Sequence, residues 1–317
     1  MKSINKLKLI SVLAVIAGGL LRAQSQAADA VQKKPMNVLF LVVDDLNSWL
    51  LEDPTRYAGK VVAPNINRLA DSGVNFVRAY CASTVCTPSR TAVLSGIAPW
   101  KSGVYGNGYP TSKSPAVRDS VPLPALFRNA GYYTAASGKI DHGYKIPNSA
   151  YDAKFNQFGD PKPEQPFVDW AKDKRGRPTS KDWGAYDLVP EEEINDHQYA
   201  DFAIEQLRRE HDKPFFIACG IFRPHNPWYV PRKYLDLYPL DEIQLPPIKK
   251  NDLDDVPRLG RDLVEKNNLI SLIKEHGHHK QGIQAYLACT TFADVQIGRV
   301  LDALDNSPYK DNTIVVL

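Results

Sequence analysis

A small set of side chains in this sequence can attack an electrophile, hold a cation or move a proton, and they come in short runs. The run Cys86-Thr87-Pro88-Ser89-Arg90, with Leu94 and Gly96 behind it, reads C-x-P-S-R-x-x-x-L-x-G. Pro88 suits a first helical turn, where its missing N–H is not needed, and Gly96 suits a helix stop. A helix N-terminus offers unpaired N–H groups and a partial positive charge to an oxyanion. Arg90 lies one turn after Cys86, where its fork could take the same anion. The plainer alternative is a capped helix with Cys86 as a buried thiol or disulfide-bonded to Cys81.

Three further runs carry chemistry. Asp44-Asp45 clusters carboxylate oxygens of the kind hard cations seek, although adjacent residues of a strand point to opposite faces and a shared target needs a turn there. Alone, such a pair after a strand is more often a turn or a helix cap. In Gly138-Lys139-Ile140-Asp141-His142-Gly143, Lys139 offers a point charge and His142 a proton shuttle near neutral pH. A surface loop is the alternative. His225 stands between Pro224 and Pro227, which stiffen the backbone that presents it; a rigid loop histidine reads the same way.

The elements that must position these residues follow from hydrophobic pattern. Residues 37–43 form an unbroken apolar run that suits a strand buried on both faces, with Asp44-Asp45 directly after it. Residues 64–72 read as a helix stopped by Gly73, 74–80 alternate like a strand, and a helix follows from Cys86. A helix is expected at 123–129 and a strand at 132–137. Asp196 is expected to cap a helix running to about Glu210, with Tyr199, Phe202, Ala203 and Leu207 inward. A strand at 214–220, a long helix at 284–305 and a last strand at 313–317 complete the pattern. Residues 141–190 and 223–260 are proline-rich and irregular, placed to line or cover a site. Alternating strands and helices predict an α/β fold, a mostly parallel sheet sandwiched by helices. Ligands of such sheets bind at the carboxyl ends of strands, where Asp44, Asp45, Lys139 and His225 fall.

These runs together resemble the type I sulfatases of the alkaline-phosphatase superfamily. The Cys86 run matches their signature, the strand ending in Asp44-Asp45 matches their metal-binding start, and Gly138-Lys139 with a histidine three residues on matches a third motif. Residues 221–239 and 284–302 are similar to the iduronate-2-sulfatase branch and its bacterial relatives, so the likeness runs from about residue 36 to the end. The resemblance implies an alkaline-phosphatase/sulfatase-like fold and hydrolysis of sulfate esters, on sulfated glycans. It implies that a maturation enzyme oxidises Cys86 to Cα-formylglycine, whose hydrated aldehyde is the nucleophile. It implies Ca²⁺, with Mg²⁺ as the alternative, held by Asp44, Asp45 and residue 86. Lys139, His225 and Arg90 then neutralise the sulfate, His225 is a candidate acid for the leaving alcohol, and His142 the base.

The family completes its metal site after a later strand. In the iduronate-2-sulfatase branch this is a Ser-Asp-His-Gly run after the strand matching residues 312–317, and this sequence ends at Leu317. Residues 36–317 are therefore expected to be an N-terminal catalytic domain truncated before the second metal-ligand motif, with little activity and poor folding as a 317-residue polypeptide. Phosphonate monoester or phosphodiester hydrolases share the Cys-x-Pro-Ser-Arg core and are the nearest rival. A non-catalytic remnant with unmodified Cys86 is the other.

Composition sets the remaining bounds. The 317 residues, 43 % hydrophobic and 24 % charged, suffice for a large core. Lys2, Lys6 and Lys8 precede an apolar run at residues 9–21 and a small-residue site before Ala28, which reads as a signal peptide over 1–27 and an exported, periplasmic or secreted protein without a stable membrane anchor. Without that segment 35 basic residues face 36 acidic ones, and the formal charge moves from +3 to −1. A basic surface for nucleic acid or membrane is thus not supported. Cys219 and Cys289 read as core residues. His276, His278 and His279 lack the partners of a zinc site, and Asp252, Asp254 and Asp255 lack the pattern of a calcium loop.

Overall fold

The computed structural model describes residues 35–51, 55–144, 146–156, 160–161, 163–247, 249–267 and 269–317; the signal peptide expected at 1–27 lies outside them. Strands β1 (Asn37–Val43), β2 (Tyr133–Gly138) and β3 (Ala153–Phe155) join β5 (Phe215–Ile221) and β7 (Thr313–Val316) in one sheet of order β3-β2-β5-β1-β7, parallel throughout. A second, two-stranded parallel sheet pairs β4 (Trp183–Tyr186) with β6 (Trp228–Pro231). The principal helices are α1 (Pro64–Asp71), α2 (Cys86–Ser95), α3 (Leu123–Asn129), α4 (Asn195–Arg208) and α5 (His279–Asp305).

The period of two along each strand divides the core. Leu39 and Leu41 of β1, with Phe215, Ile217 and Cys219 of β5, pack against Ile66 of α1, Tyr199, Ala203 and Leu207 of α4, and Ile297 and Val300 of α5. Val38, Phe40 and Val42, with Phe216 and Ala218, face the other way onto Leu94 of α2 and Leu123 and Phe127 of α3. Both faces are covered, as a parallel sheet requires. Each fully buried Leu, Ile or Phe contributes roughly 1.5–3 kcal/mol relative to exposure. Asp294 of α5, fully buried, accepts from the backbone N–H of Asn65 (3.2 Å) and Ile66 (2.7 Å) and so caps α1 from across the core.

Several expectations need correction. Residues 74–80 form no strand, and Val74, Phe76 and Tyr80 are 78, 75 and 88 % exposed. Alternation is a local pattern, whereas a strand needs a neighbouring backbone, and among the described residues none pairs with this segment. Residues 141–190 contain β3 and β4, and 223–260 contain β6 and helical turns at Arg232–Leu235 and from Arg258. Strands of three or four residues are too short to show a period. Asp196 does not cap α4. Ile194 holds that position, and the Asp196 carboxylate accepts instead from the N–H groups of Phe222 and Arg223 (2.5 and 3.1 Å).

Candidate active site

Two glycines set the geometry where β2 and β5 end side by side. Gly138 has φ +70°, and a Cβ there would lie 2.0 Å from the Gly220 carbonyl oxygen and 2.6 Å from the Tyr199 ring. A Cβ on Gly220 would lie 2.3 Å from the Lys139 carbonyl oxygen. Only hydrogen fits at either position, and the left-handed turn at Gly138 starts the change of direction that carries Lys139 inward. At the end of β1, Asp45 has φ +58°, a conformation that Asp tolerates better than most residues. This supplies the turn that an Asp-Asp pair needs. The Asp45 carbonyl is held by the Tyr286 hydroxyl of α5 at 2.9 Å.

Asp44, Arg90 and Lys139 are 6, 7 and 5 % exposed, so each charge needs a partner close by. Arg90 Nη2 donates to Asp44 Oδ1 at 2.7 Å, and Lys139 Nζ donates to Asp44 Oδ2. Arg90 Nη1 donates to the carbonyls of Lys139 and Ile140. Burial alone would push the Asp44 carboxyl up, but the charges of Arg90 and Lys139 outweigh it and hold the group below its ordinary value. Arg90 thus serves the frame of the site, tying the end of β1 to the loop after β2.

Cys86 opens α2 one residue after Val85 at the cap position, and the next N–H, of Thr87, donates to Asn107 Oδ1 at 2.9 Å. Gly96 closes the helix at φ +71°. Lys139 Nζ lies 3.9 Å from Cys86 Sγ. Cys81, Cys86, Cys219 and Cys289 are all free thiols, so the Cys81–Cys86 disulfide alternative is not what forms. Cys219 and Cys289 are fully buried, which pushes the Cys219 thiol up to about 12 and the Cys289 thiol higher still.

His225 meets this corner from the loop after β5. Ligand atoms of Asp44, Cys86 and His225 lie within 4.8 Å of one another. Nδ1 of His225 is 2.5 Å from the Asn226 carbonyl. A carbonyl only accepts, so Nδ1 carries the hydrogen and Nε2, 3.8 Å from Asp45 Oδ2, is the working nitrogen. His142 is exposed on the loop after β2, outside the residues that line the cavity. Partial burial, then the charges of Lys139 and Arg90, lower its pKa below 6.5.

Asp44, Asp45, Cys86, Arg90, Lys139 and His225 therefore meet at one place, with differences of role, while His142 is linked to them only through the field of their charges. His225 joins Asp44 and Cys86 in the convergent cluster, while Asp45 stands beside it, half-exposed and facing His225. A hard divalent cation fits these donors in part. Asp44 and Asp45 supply carboxylate oxygens beside residue 86, fewer than the about 6–8 oxygens of a full Ca²⁺ sphere. A cavity of about 280 Å³ opens here, lined by Asp44, Asp45, Cys81, Cys86, Ser89 and Arg90 on its polar side.

Sequence reasoning missed the supports. The Phe222 ring lies 4.9 Å from Lys139 Nζ and 4.6 Å from the His225 ring, which holds both groups at once. Arg223 is 1 % exposed and bridges Asp196 (2.9 Å) and Asp160 (2.7 Å), while its Nε donates to the Tyr229 carbonyl (2.7 Å). This buried network anchors the segment that presents His225.

A parallel α/β sheet covered by helices carries this cluster at its strand ends. The family profile described as Sulfatase matches residues 36–317, and the chain belongs to that family. It is 40 % identical over 319 residues to a protein named Sulfatase from Formosa agariphila, covering 94 % of this chain and 61 % of that one. It is 30 % identical over 302 residues to iduronate 2-sulfatase of Mus musculus, covering 88 and 53 %. Its fold is similar to that of phosphonate monoester hydrolase SpPMH from Silicibacter pomeroyi, with a TM-score of 0.63 at 19 % identity, over 88 % of this chain and 61 % of that one. The chain spans 53 to 61 % of the length of these relatives. Among the described residues no helix is long and apolar enough to cross a membrane.

Proposed function

We propose that the protein hydrolyses sulfate esters on sulfated glycans, with residue 86 in its formylglycine form as the nucleophile. The convergence of Asp44, Cys86 and His225 within 4.8 Å carries this reading. Membership of the Sulfatase family and similarity to an iduronate 2-sulfatase support the ester and the glycan. As a formylglycine hydrate, residue 86 supplies one hydroxyl that attacks sulfur and a second whose deprotonation expels the sulfate. A divalent cation, Ca²⁺ or Mg²⁺, held by Asp44 and Asp45 polarises the sulfate oxygens when bound.

The chain's own residues do the rest. Lys139, beside Cys86, sets an ammonium against a sulfate oxygen. Arg90 keeps the Asp44 carboxylate ionised and aimed. His225, with Nδ1–H fixed on Asn226, delivers a proton from Nε2 to the leaving alcohol. His142, held neutral by its surroundings, accepts the proton of the second hydroxyl. A formylglycine-generating enzyme acting on the Cys86 run, and export through residues 1–27, belong to the same reading.

The test measures product release from an aryl sulfate, a sulfated oligosaccharide and a phosphonate monoester by the matured full-length protein and its Cys86→Ala variant. Sulfate release that depends on Cys86 is expected. Preferential cleavage of the phosphonate would replace this reading with the rival hydrolase.

A further inference from the structure

A second, larger cavity of about 770 Å³ is walled by residues 167–170, by β4 and by the start of α5. Phe167 lines it at 45 % exposure, its ring seated over Gly184, where a Cβ would come within 2.3 Å. Trp170 stacks on His276 with ring centroids 5.7 Å apart and meets Trp183 edge-on at 5.3 Å. Trp170 Nε1–H donates to His278 Nδ1 at 3.1 Å. An indole N–H can only donate, so Nδ1 is the acceptor and the neutral ring carries its hydrogen on Nε2. Gln281 and Gln284 also line the cavity with side-chain amides.

These walls have a definite chemistry. Aromatic rings beside fixed amide and imidazole groups suit a ligand with apolar C–H faces and a rim of hydroxyls. The side-chain amides of Gln281 and Gln284 in the lining suit the hydroxyl groups of such a ligand. The cavity does not suit an anion. Among its described lining residues the only permanent cation, Arg232, is already held by both oxygens of Asp187, and Asp169 adds a negative charge.

A chain of packed rings links a wall of the cavity to the catalytic corner. Trp228, which opens β6 shortly after His225, touches Trp183 at 6.0 Å and Tyr286 at 5.9 Å. Tyr286 in turn holds the Asp45 carbonyl. One aromatic wall thus joins the two places.

We infer that this cavity is a carbohydrate subsite that takes an uncharged pyranose unit of the glycan whose sulfate is cut at residue 86. The inference rests on the glycan reading above and adds to it a place, and a charge requirement, for a sugar unit away from the scissile ester. Such a subsite makes affinity depend on chain length and gives an increment that salt does not screen, since no ion pair is formed.

The test is calorimetric titration of the Cys86→Ala protein, which leaves the glycan intact. The probes are hexasaccharides and disaccharides prepared from agarose, carrageenan, chondroitin sulfate and heparin. At least one hexasaccharide is expected to bind, with affinity lowered about tenfold in Trp170→Ala, Phe167→Ala and Gln281→Leu, equally at low and high salt. Disaccharide binding is expected to be unchanged by those substitutions. Gln281→Leu removes only a side-chain amide of the lining and keeps the test valid if Trp170→Ala fails to fold. Hexasaccharide affinity unchanged in all three variants overturns the inference, as does failure of every hexasaccharide to bind. Cys86-dependent sulfate release from a small aryl sulfate is measured alongside on the three variants in the Cys86 background. Its persistence while hexasaccharides ignore the cavity would sink the subsite and leave the sulfatase reading standing.

Discussion

Arg90 Nη2 donates to Asp44 Oδ1 at 2.7 Å, and the two side chains are 8 and 7 % exposed. The same guanidinium reaches the carbonyls of Lys139 and Ile140, so one side chain locks the end of β1 to the loop after β2. Without Arg90, Asp44 still pairs with Lys139, while one carboxylate oxygen and the carbonyls of Lys139 and Ile140 lose their buried donor, at a cost of about 1–3 kcal/mol. Arg90→Met is expected to lose that much in denaturant unfolding. Arg90→Lys is expected to recover little, because a single ammonium cannot serve a carboxylate and two carbonyls in fork geometry. Recovery of Arg90→Lys to wild-type stability would contradict this assignment.

Asp196 and Arg223 form the support behind His225. Asp196 accepts from Phe222 N–H, Arg223 N–H and Arg223 Nη1. Asp196→Ala is expected to destabilise the protein by about 3–5 kcal/mol. It is also expected to lower kcat at temperatures where the variant is still folded, since the Phe222 ring under Lys139 and His225 loses its anchor. Activity per folded molecule equal to wild type would show that the network is structural only.

The pH profile tests His142. Burial first, then Lys139 and Arg90, lower its pKa below 6.5. A base with a lowered pKa stays deprotonated on the alkaline side and is lost as pH falls through the lowered value. The acid limb of kcat is therefore expected below pH 6.5. His142→Gln is expected to reduce kcat by about 10²–10⁴-fold and to abolish that limb. An acid limb above 6.5, or an unchanged limb in the variant, would remove His142 from the base role.

Gly138→Ala tests the backbone that delivers Lys139. The left-handed conformation costs a non-glycine residue about 1–2 kcal/mol, and the added Cβ would fall 2.0 Å from the Gly220 carbonyl oxygen. Loss of soluble protein, or a melting temperature well below wild type, is expected. A melting temperature within error of wild type would mean that β2 and β5 end farther apart.

Much of this was legible in the sequence because it depends on near neighbours in the chain. The run ending in Asp44-Asp45 announces a buried parallel strand, and Pro88 and Gly96 bracket α2 from within ten residues of it. Lys139 and His225 follow strands that hydrophobic pattern alone reveals. Phe222 and the Asp160–Arg223–Asp196 network were not legible, because their partners are distant in sequence and their burial is decided by the fold. Asp196 carried a cap signal that its tertiary partners overrode. The alternation of residues 74–80 misled for the opposite reason, a local pattern with no strand beside it among the described residues.

The central claim is that residue 86 is the nucleophile in its formylglycine form. Mass spectrometry of the tryptic peptide Ala79–Arg90, from protein co-produced with a formylglycine-generating enzyme, tests it most directly. The expected result is a peptide lighter than its cysteine form that reacts with a hydrazide and is absent in Cys86→Ala. A peptide that carries only unmodified cysteine at residue 86 under those conditions would contradict the account.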